Sequence, residues 1–249
     1  MSKPAAPKIR LFVDGALSLG ASVAASEAQA HYLLHVMRRA SSDPVALFNG
    51  RDGEWRAKVQ MPSKKHVVFE VEEQLRPQSP SPDLWLAFAP VKRIDAVVEK
   101  ASELGAAALL PVMTRRTDVS RINFDRMRAI AIEAAEQCER LSIPVIQPAQ
   151  DFDSFLRGWP AARRLYFLDE TGQGAPIARA LQEEVTQSCA FLVGPEGGFT
   201  ESELDALRQV PSAKGVSLGP RILRAETAAL AALACWQALR GDWAGLAEG

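Results

Sequence analysis

The stretch FLVGPEGGF, residues 191–199, sets the tightest limit on what this chain can fold into. An apolar run, Phe191-Leu192-Val193, stops at Gly194-Pro195-Glu196-Gly197-Gly198 and gives way to Thr200-Glu201-Ser202-Glu203. Glycine loses more backbone freedom on folding than any other residue, so a cluster of it marks a backbone that must turn sharply or lie bare. Thr200 reads as a helix N-cap, and Glu203 three residues on completes a capping box. The loop therefore joins the carboxyl end of a strand to the start of a helix, where open α/β sheets bind their ligands. A sharp turn that holds no ligand is the alternative, since glycine-rich turns are common.

A second stretch, VSLGPRILRAETAALAAL at residues 216–233, repeats the design. A short apolar strand meets Gly219-Pro220, then Arg221–Glu226, then a helix. Two such loops are candidates for two walls of one pocket, with Arg224 and Glu226 at its rim. The phosphate-loop pattern G-x-x-x-x-G-K-[ST] and the dinucleotide pattern G-x-G-x-x-G are both absent. Glu196 and Glu226 would repel a pyrophosphate. They suit a nucleoside that carries a cation, and S-adenosylmethionine, with its sulfonium and zwitterionic tail, is such a ligand. The helix Glu226–Arg240 is alanine-rich and apolar almost all round, so it is expected to be buried on most sides, within its domain or also against a partner subunit.

The clearest seam is RPQSPSPD, residues 76–83, which continues neither a helix nor a central strand. Before it, the runs Ile9–Val13, Val45–Phe48, Trp55–Val59 and Val67–Val71 read as strands, with tight hairpins expected at Asn49-Gly50 and Asp52-Gly53. One helix is expected at Ser26–Arg39, capped by Ser26. After the seam, strand Leu84–Ala89, helix Val91–Leu104 with a stop at Gly105, and strand Ala108–Val112 make a β-α-β unit, hence a parallel sheet. Helices are expected at Phe124–Arg140, Pro176–Val185 and Glu201–Leu207, and strands at Val145–Ile146, Leu165–Leu168, Phe191–Val193 and Gly215–Leu218. The expected division is 1–75, a small β domain; 76–83, a linker; and 84–249, an α/β domain.

The 249 residues carry a net charge of -1, so no whole-chain field draws an acidic polymer. Residues 1–76 hold 11 Lys and Arg against 8 Asp and Glu, and the rest 18 against 22, which permits a local basic face. Cys138, Cys189 and Cys235 are scattered and lack C-x-x-C spacing, which argues against disulfides and zinc. His31 and His35 have the i, i+4 spacing of two metal ligands, but no third ligand suggests itself, so no metal is expected. Met1–Arg10 lacks the apolar stretch of a secretory leader, and no run reaches membrane-spanning length, so a cytoplasmic protein off the membrane is expected.

LVGPEGGFTESEL and SLGPRILRAETA together resemble the signature of the SPOUT methyltransferases, within them the bacterial 16S ribosomal RNA (uracil-N3)-methyltransferase family. RLFVDG, HYLLHVMRR, LFNGRDGEWRAKV, KRIDAVVEKASELGAAALLPVMTRRT and AAEQCERLSIPVIQP follow that family in order. Two positions depart from it: Ser42-Asp43 replaces the usual Gly-Asp, and Glu136-Gln137-Cys138-Glu139-Arg140 replaces the usual EQ-small-GR. Both departures bear on local turns and RNA contacts. The resemblance implies a C-terminal SPOUT-type α/β domain with a deep trefoil knot, a preceding PUA-like β-barrel that grips RNA, and a homodimer with each active site at the interface. It implies S-adenosylmethionine as cofactor and ribosomal RNA, free or in the small subunit, as partner.

On that reading the donor rests on Gly194, Glu196, Gly198, Leu218, Gly219, Ile222 and Leu223, joined by Leu168, Val193, Pro195, Gly197, Arg221 and Thr227. Arg224 is expected as the catalytic cation, Glu226 or Glu196 as proton acceptor or ligand anchor, and Arg10 as a contact to the base or its phosphate. RNA contact is expected from Arg10, His35, Arg38, Arg39, Lys92, Arg93, Arg115, Arg116 and Arg140. The rivals are a methyltransferase acting on transfer RNA base or ribose, a non-catalytic RNA-binding protein, and an adenine-nucleotide enzyme with an unusual loop.

Overall fold

A computed structural model describes residues 7–63, 66–119, 121–183 and 186–245. The chain forms two compact units: Met1–Pro80 with Ala135–Ile143, and Ser81–Ala134 with Pro144–Gly249.

In the first unit, β1 (Arg10–Phe12), β2 (Ser22–Ala24), β3 (Pro44–Phe48), β4 (Glu54–Ser63) and β5 (His66–Arg76) pair in the order β1-β3-β4-β5-β2. Only β1 and β3 run parallel. Alternation sets the buried face: Ala57 and Val59 on β4 and Val67, Phe69 and Val71 on β5 join Val45, Leu47 and Leu33 in one core. The link from β3 to β4 is a single loop, Asn49–Gly53, rather than two tight turns. Gly50 and Gly53 both take positive φ (79° and 81°). The Asn49 side chain holds the loop, donating to Asp52 Oδ2 at 2.6 Å and accepting from the N–H of Arg51 and Asp52.

The expected helix Ser26–Arg39 is shorter and changes type. Helix α1 (Glu27–His31) starts with the Ser26–Gln29 capping box, then widens into a π-helical turn at Tyr32–Val36. Arg38, at φ 48°, occupies the left-handed position at which helices commonly end with glycine. Arg39 N–H then bonds the Leu33 carbonyl at 2.9 Å. Periodicity cannot foresee this ending, because no glycine marks it.

Arg10 organises the unit's far end. It gives Nε to Glu54 Oε1 at 2.5 Å, Nη1 to the carbonyls of Ala135 and Glu136, and Nη2 to the carbonyl of Arg140. Its guanidinium lies 4.4 Å from the Phe48 ring centroid. Arg76 Nε donates to the other Glu54 oxygen at 2.7 Å. Burial pushes the Glu54 carboxyl up, but hydrogen bonds from Arg76 and Arg10 outweigh it and hold the group below its ordinary range.

The second unit is built on β6 (Leu84–Phe88), α2 (Ile94–Glu103), β7 (Ala108–Met113), α3 (Phe124–Gln137), β8 (Val145–Ile146), β9 (Gln150–Asp151), α4 (Phe152–Arg157), β10 (Arg164–Leu168), β11 (Ala175–Pro176), α5 (Ile177–Gln182), β12 (Cys189–Val193), α6 (Glu201–Gln209), β13 (Ala213–Ser217) and α7 (Ala225–Arg240). The end of α3 groups with the first unit. The sheet order is β11-β13-β10-β12-β6-β7-β8, with β9 on β7, and every pairing is parallel.

Both faces of this sheet are covered, which explains the unbroken apolar runs in its strands. Leu86, Tyr166, Phe191 and Val193 face α2, α5 and α7. Leu110, Leu165, Phe167 and Leu192 face α4 and α6 through Phe152, Phe155, Leu204 and Leu207. Gly105 takes φ 81° and ends α2 as expected. The helix expected to reach Val185 ends at Gln182, and Val185 lies outside the described residues.

Candidate active site

Strand β10 lies between β12 and β13, its neighbours on either side. Both glycine loops leave the carboxyl ends of these flanking strands. They therefore rise on either side of the end of β10, about 10 Å apart strand to strand. Leu168, the last residue of β10, sits at the strand end between them, half-buried against the core.

The first loop is held from three directions. Thr200 caps α6, and both hydrogen bonds of its capping box with Glu203 form. Glu203 is 3% exposed, and its second oxygen accepts the Arg115 N–H at 2.9 Å. Arg116 Nη1 donates to the Gly197 carbonyl at 2.7 Å. Gly194 sits in a tight place and Gly198 in a left-handed conformation. A Cβ on Gly194 would stand 3.0 Å from the Phe199 ring, and Gly198 takes φ 67° while its N–H bonds the Pro195 carbonyl. A Cβ on Gly198 would land on the carboxylate of Glu170, a residue just past β10.

The second loop is open. Gly219 takes φ 101°, nothing lies within 4 Å of where its Cβ would be, and its N–H bonds Ser217 Oγ at 3.2 Å. Pro220, Arg221, Ile222 and Arg224 are exposed, Ile222 to 90%, while Leu218 and Leu223 are half-buried. Arg224 is the N-cap residue of α7, in extended conformation with no side-chain capping bond. Thr227 is exposed in the first turn.

The expected catalytic residues part company here. Arg224 stands exposed at the loop's end. Glu196 is exposed in the first loop. The Glu226 side chain is only 13% exposed and lies 3.6 Å from Arg93, so both are engaged with each other. Arg10 is corrected: its guanidinium is 8% exposed and spent on Glu54 and three carbonyls within the first unit, so it reaches neither a base nor a phosphate. Arg116 is likewise occupied by the glycine loop, Arg39 lies 3.7 Å from Asp43, and Arg140 Nη2 lies 3.4 Å from Ser142 Oγ. His35, Arg38, Lys92 and Arg115 are exposed. His31 and His35 lie with ring centroids 4.9 Å apart and planes tilted by 45°, and no cluster of three or more His, Cys, Asp or Glu able to hold a metal occurs among the described residues. Sequence reasoning missed Glu170. Its signal was the polar Asp169-Glu170-Thr171-Gly172 following Leu165–Leu168, at the same sheet edge as the two loops.

The profile of RNA methyltransferase domains matches residues 77–237, and that of the RNA methyltransferase PUA domain matches residues 26–72. The chain belongs to the RNA methyltransferase family. Ribosomal RNA small subunit methyltransferase E of Rickettsia conorii is 33% identical over 90% of this RNA methyltransferase and 93% of its own length. The protein of the same name from Synechocystis is 32% identical over 92% of this chain and 77% of its own. The crystal structure of a ribosomal RNA small subunit methyltransferase E from Neisseria gonorrhoeae bound to S-adenosyl methionine superposes with a TM-score of 0.84, at 28% identity, over 93% of this RNA methyltransferase and 97% of that chain.

Proposed function

We propose that this chain is an S-adenosylmethionine-dependent methyltransferase that modifies N3 of a uridine in small-subunit (16S) ribosomal RNA. The observation that carries the reading is the pair of glycine loops flanking the end of β10, one with Gly198 at positive φ facing the Glu170 carboxylate and one open to solvent at Gly219. A flat, extended nucleoside fits against the open Gly219 backbone on one side and the first loop on the other, where the Glu170 carboxylate faces the buried Gly198, with half-buried Leu168, Leu218 and Leu223 near the loop ends. The names of the relatives and the donor bound to the Neisseria gonorrhoeae protein support the substrate and the cofactor.

When bound, S-adenosylmethionine supplies a methyl group on a positively charged sulfur. The chain supplies the rest. Uracil N3 carries a proton and lies on the Watson–Crick edge, so the base must be unpaired to reach the loops. Arg224, whose exposure beside them supports the role, steadies the negative charge that grows on the uracil oxygens as the proton leaves. Glu196 is the freer of the two candidate proton acceptors, because Glu226 faces Arg93. RNA contact falls to the exposed His35, Arg38, Lys92 and Arg115.

A homodimer working in the cytoplasm belongs to the same reading. It is supported by Ile222, 90% exposed, and by the face of α7 bearing Leu230, Ala231 and Ala234, which its own unit leaves only partly covered. The deep knot belongs to the same reading and rests on the resemblance of the two loop motifs to the SPOUT signature. Calorimetry tests the core of the proposal. Wild-type protein binds S-adenosylmethionine, and Gly198→Val, which forces a branched side chain onto a positive-φ position against Glu170, does not; unchanged affinity in Gly198→Val removes the site.

A further inference from the structure

The Glu170 carboxylate lies on the Cα of Gly198, where a Cβ would be. The side chain is exposed, and among the described residues no hydrogen bond or ion pair holds it. The turn that presents it is fixed. Its neighbour Asp169 is 6% exposed and takes hydrogen bonds on Oδ1 from the Thr171 N–H (2.8 Å) and hydroxyl (2.6 Å). Arg208 approaches the other Asp169 oxygen at 3.7 Å, and the Asp169 N–H bonds the Val216 carbonyl at the end of β13. Asp169 is thus used for structure, and Glu170, one residue on, is turned onto the glycine loop with its charge free. A negative charge in this place is a matter of electrostatics more than of packing: a molecule laid on Gly198 meets the carboxylate first, which attracts a cation and repels a phosphate.

We propose that Glu170 is a specificity-determining residue of the donor site, favouring the positively charged sulfonium of the donor over the neutral thioether left after methyl transfer. The inference rests on the function proposed above. During transfer the S–CH3 bond breaks with its electron pair staying on sulfur, the methyl forms its new bond to N3, and the N3 proton passes to a base. The sulfur thereby loses its charge, and with it the attraction to Glu170. The same carboxylate that recruits the donor releases the spent cofactor, and it holds off adenine nucleotides that carry phosphates.

The test is calorimetric titration of S-adenosylmethionine and S-adenosylhomocysteine into wild-type protein, Glu170→Gln and Glu170→Asp. Glu170→Gln keeps size and removes charge. It weakens S-adenosylmethionine binding about tenfold, leaves S-adenosylhomocysteine within about twofold, and so collapses the preference; Glu170→Asp retains most of it. An unchanged preference in Glu170→Gln, or an equal fall for both ligands, overturns the inference while leaving the donor site in place. If the wild-type protein binds neither ligand, it is the proposed function that fails. Matching circular dichroism and melting temperatures among the variants separate a lost charge from a lost fold.

Discussion

Arg116 Nη1 donates a 2.7 Å hydrogen bond to the carbonyl of Gly197. An arginine that reads as an RNA contact in the sequence ties the glycine loop to the segment after β7, beside the bond from Arg115 N–H to Glu203, while remaining exposed. Arg116→Ala should raise the KM for S-adenosylmethionine by about tenfold, the size expected for losing a charge-assisted hydrogen bond, with a smaller change in kcat and in RNA affinity. Arg116→Lys should recover part of the loss. Steady-state kinetics with each substrate varied checks the split.

Arg224 makes the opposite prediction. It caps no N–H with its side chain and stands exposed at the loop end, so its removal should spare donor binding. Arg224→Ala should lower kcat by about 10²–10³-fold, the usual loss when a charge-stabilising donor is removed. Near-normal turnover at saturating RNA and donor would end its catalytic role.

Two departures from the family pattern coincide with strained backbone. Ser42 replaces a usual glycine and takes φ 74°, and Glu139 replaces another and takes φ 61°. Both turns keep their bonds: Ser42 N–H reaches the Val59 carbonyl at 2.8 Å, and the Glu139 carbonyl accepts from Arg76 at 2.9 Å. The fold is thus retained at a local energetic cost. Ser42→Gly and Glu139→Gly should each stabilise the protein by about 1 kcal/mol, the penalty of the left-handed region for a residue with a side chain. Urea unfolding at constant m-value measures it.

Glu54 stands between two arginines with its side chain 8% exposed. Glu54→Gln removes the charge that both guanidinium groups face, and should destabilise the first unit by about 3–5 kcal/mol, the range for breaking a buried pair. The pH dependence follows from the same group. Its folded pKa lies below the ordinary 4.5, so the stability it contributes is present above that value and is lost as pH falls through the folded pKa. Acid unfolding followed by circular dichroism should therefore steepen below pH 4.5 in the wild type, and lose that component in Glu54→Gln.

The larger sheet was legible because its strands are buried on both faces and announce themselves as apolar runs such as Phe191–Val193. The glycine loops were legible because Gly198 and Gly219 need positive φ, and few other residues tolerate it. Strands β2, β9 and β11 were not, since two or three residues carry no period. The π-helical turn at Tyr32–Val36 ends on Arg38, which bears no sign of its backbone angle. Long-range partners were the least legible. Nothing near Arg10 in the chain points to the carbonyls of Ala135, Glu136 and Arg140, and the polar run Asp169–Gly172 that marks the end of β10 does not say that Glu170 in particular turns onto Gly198.

The most direct measurement is nucleoside mass spectrometry of small-subunit ribosomal RNA incubated with purified protein and isotopically labelled S-adenosylmethionine, with Gly198→Val as control. The account predicts labelled N3-methyluridine with the wild type and none with the variant. Label on a ribose oxygen, on another base, or on no nucleoside at all would contradict it.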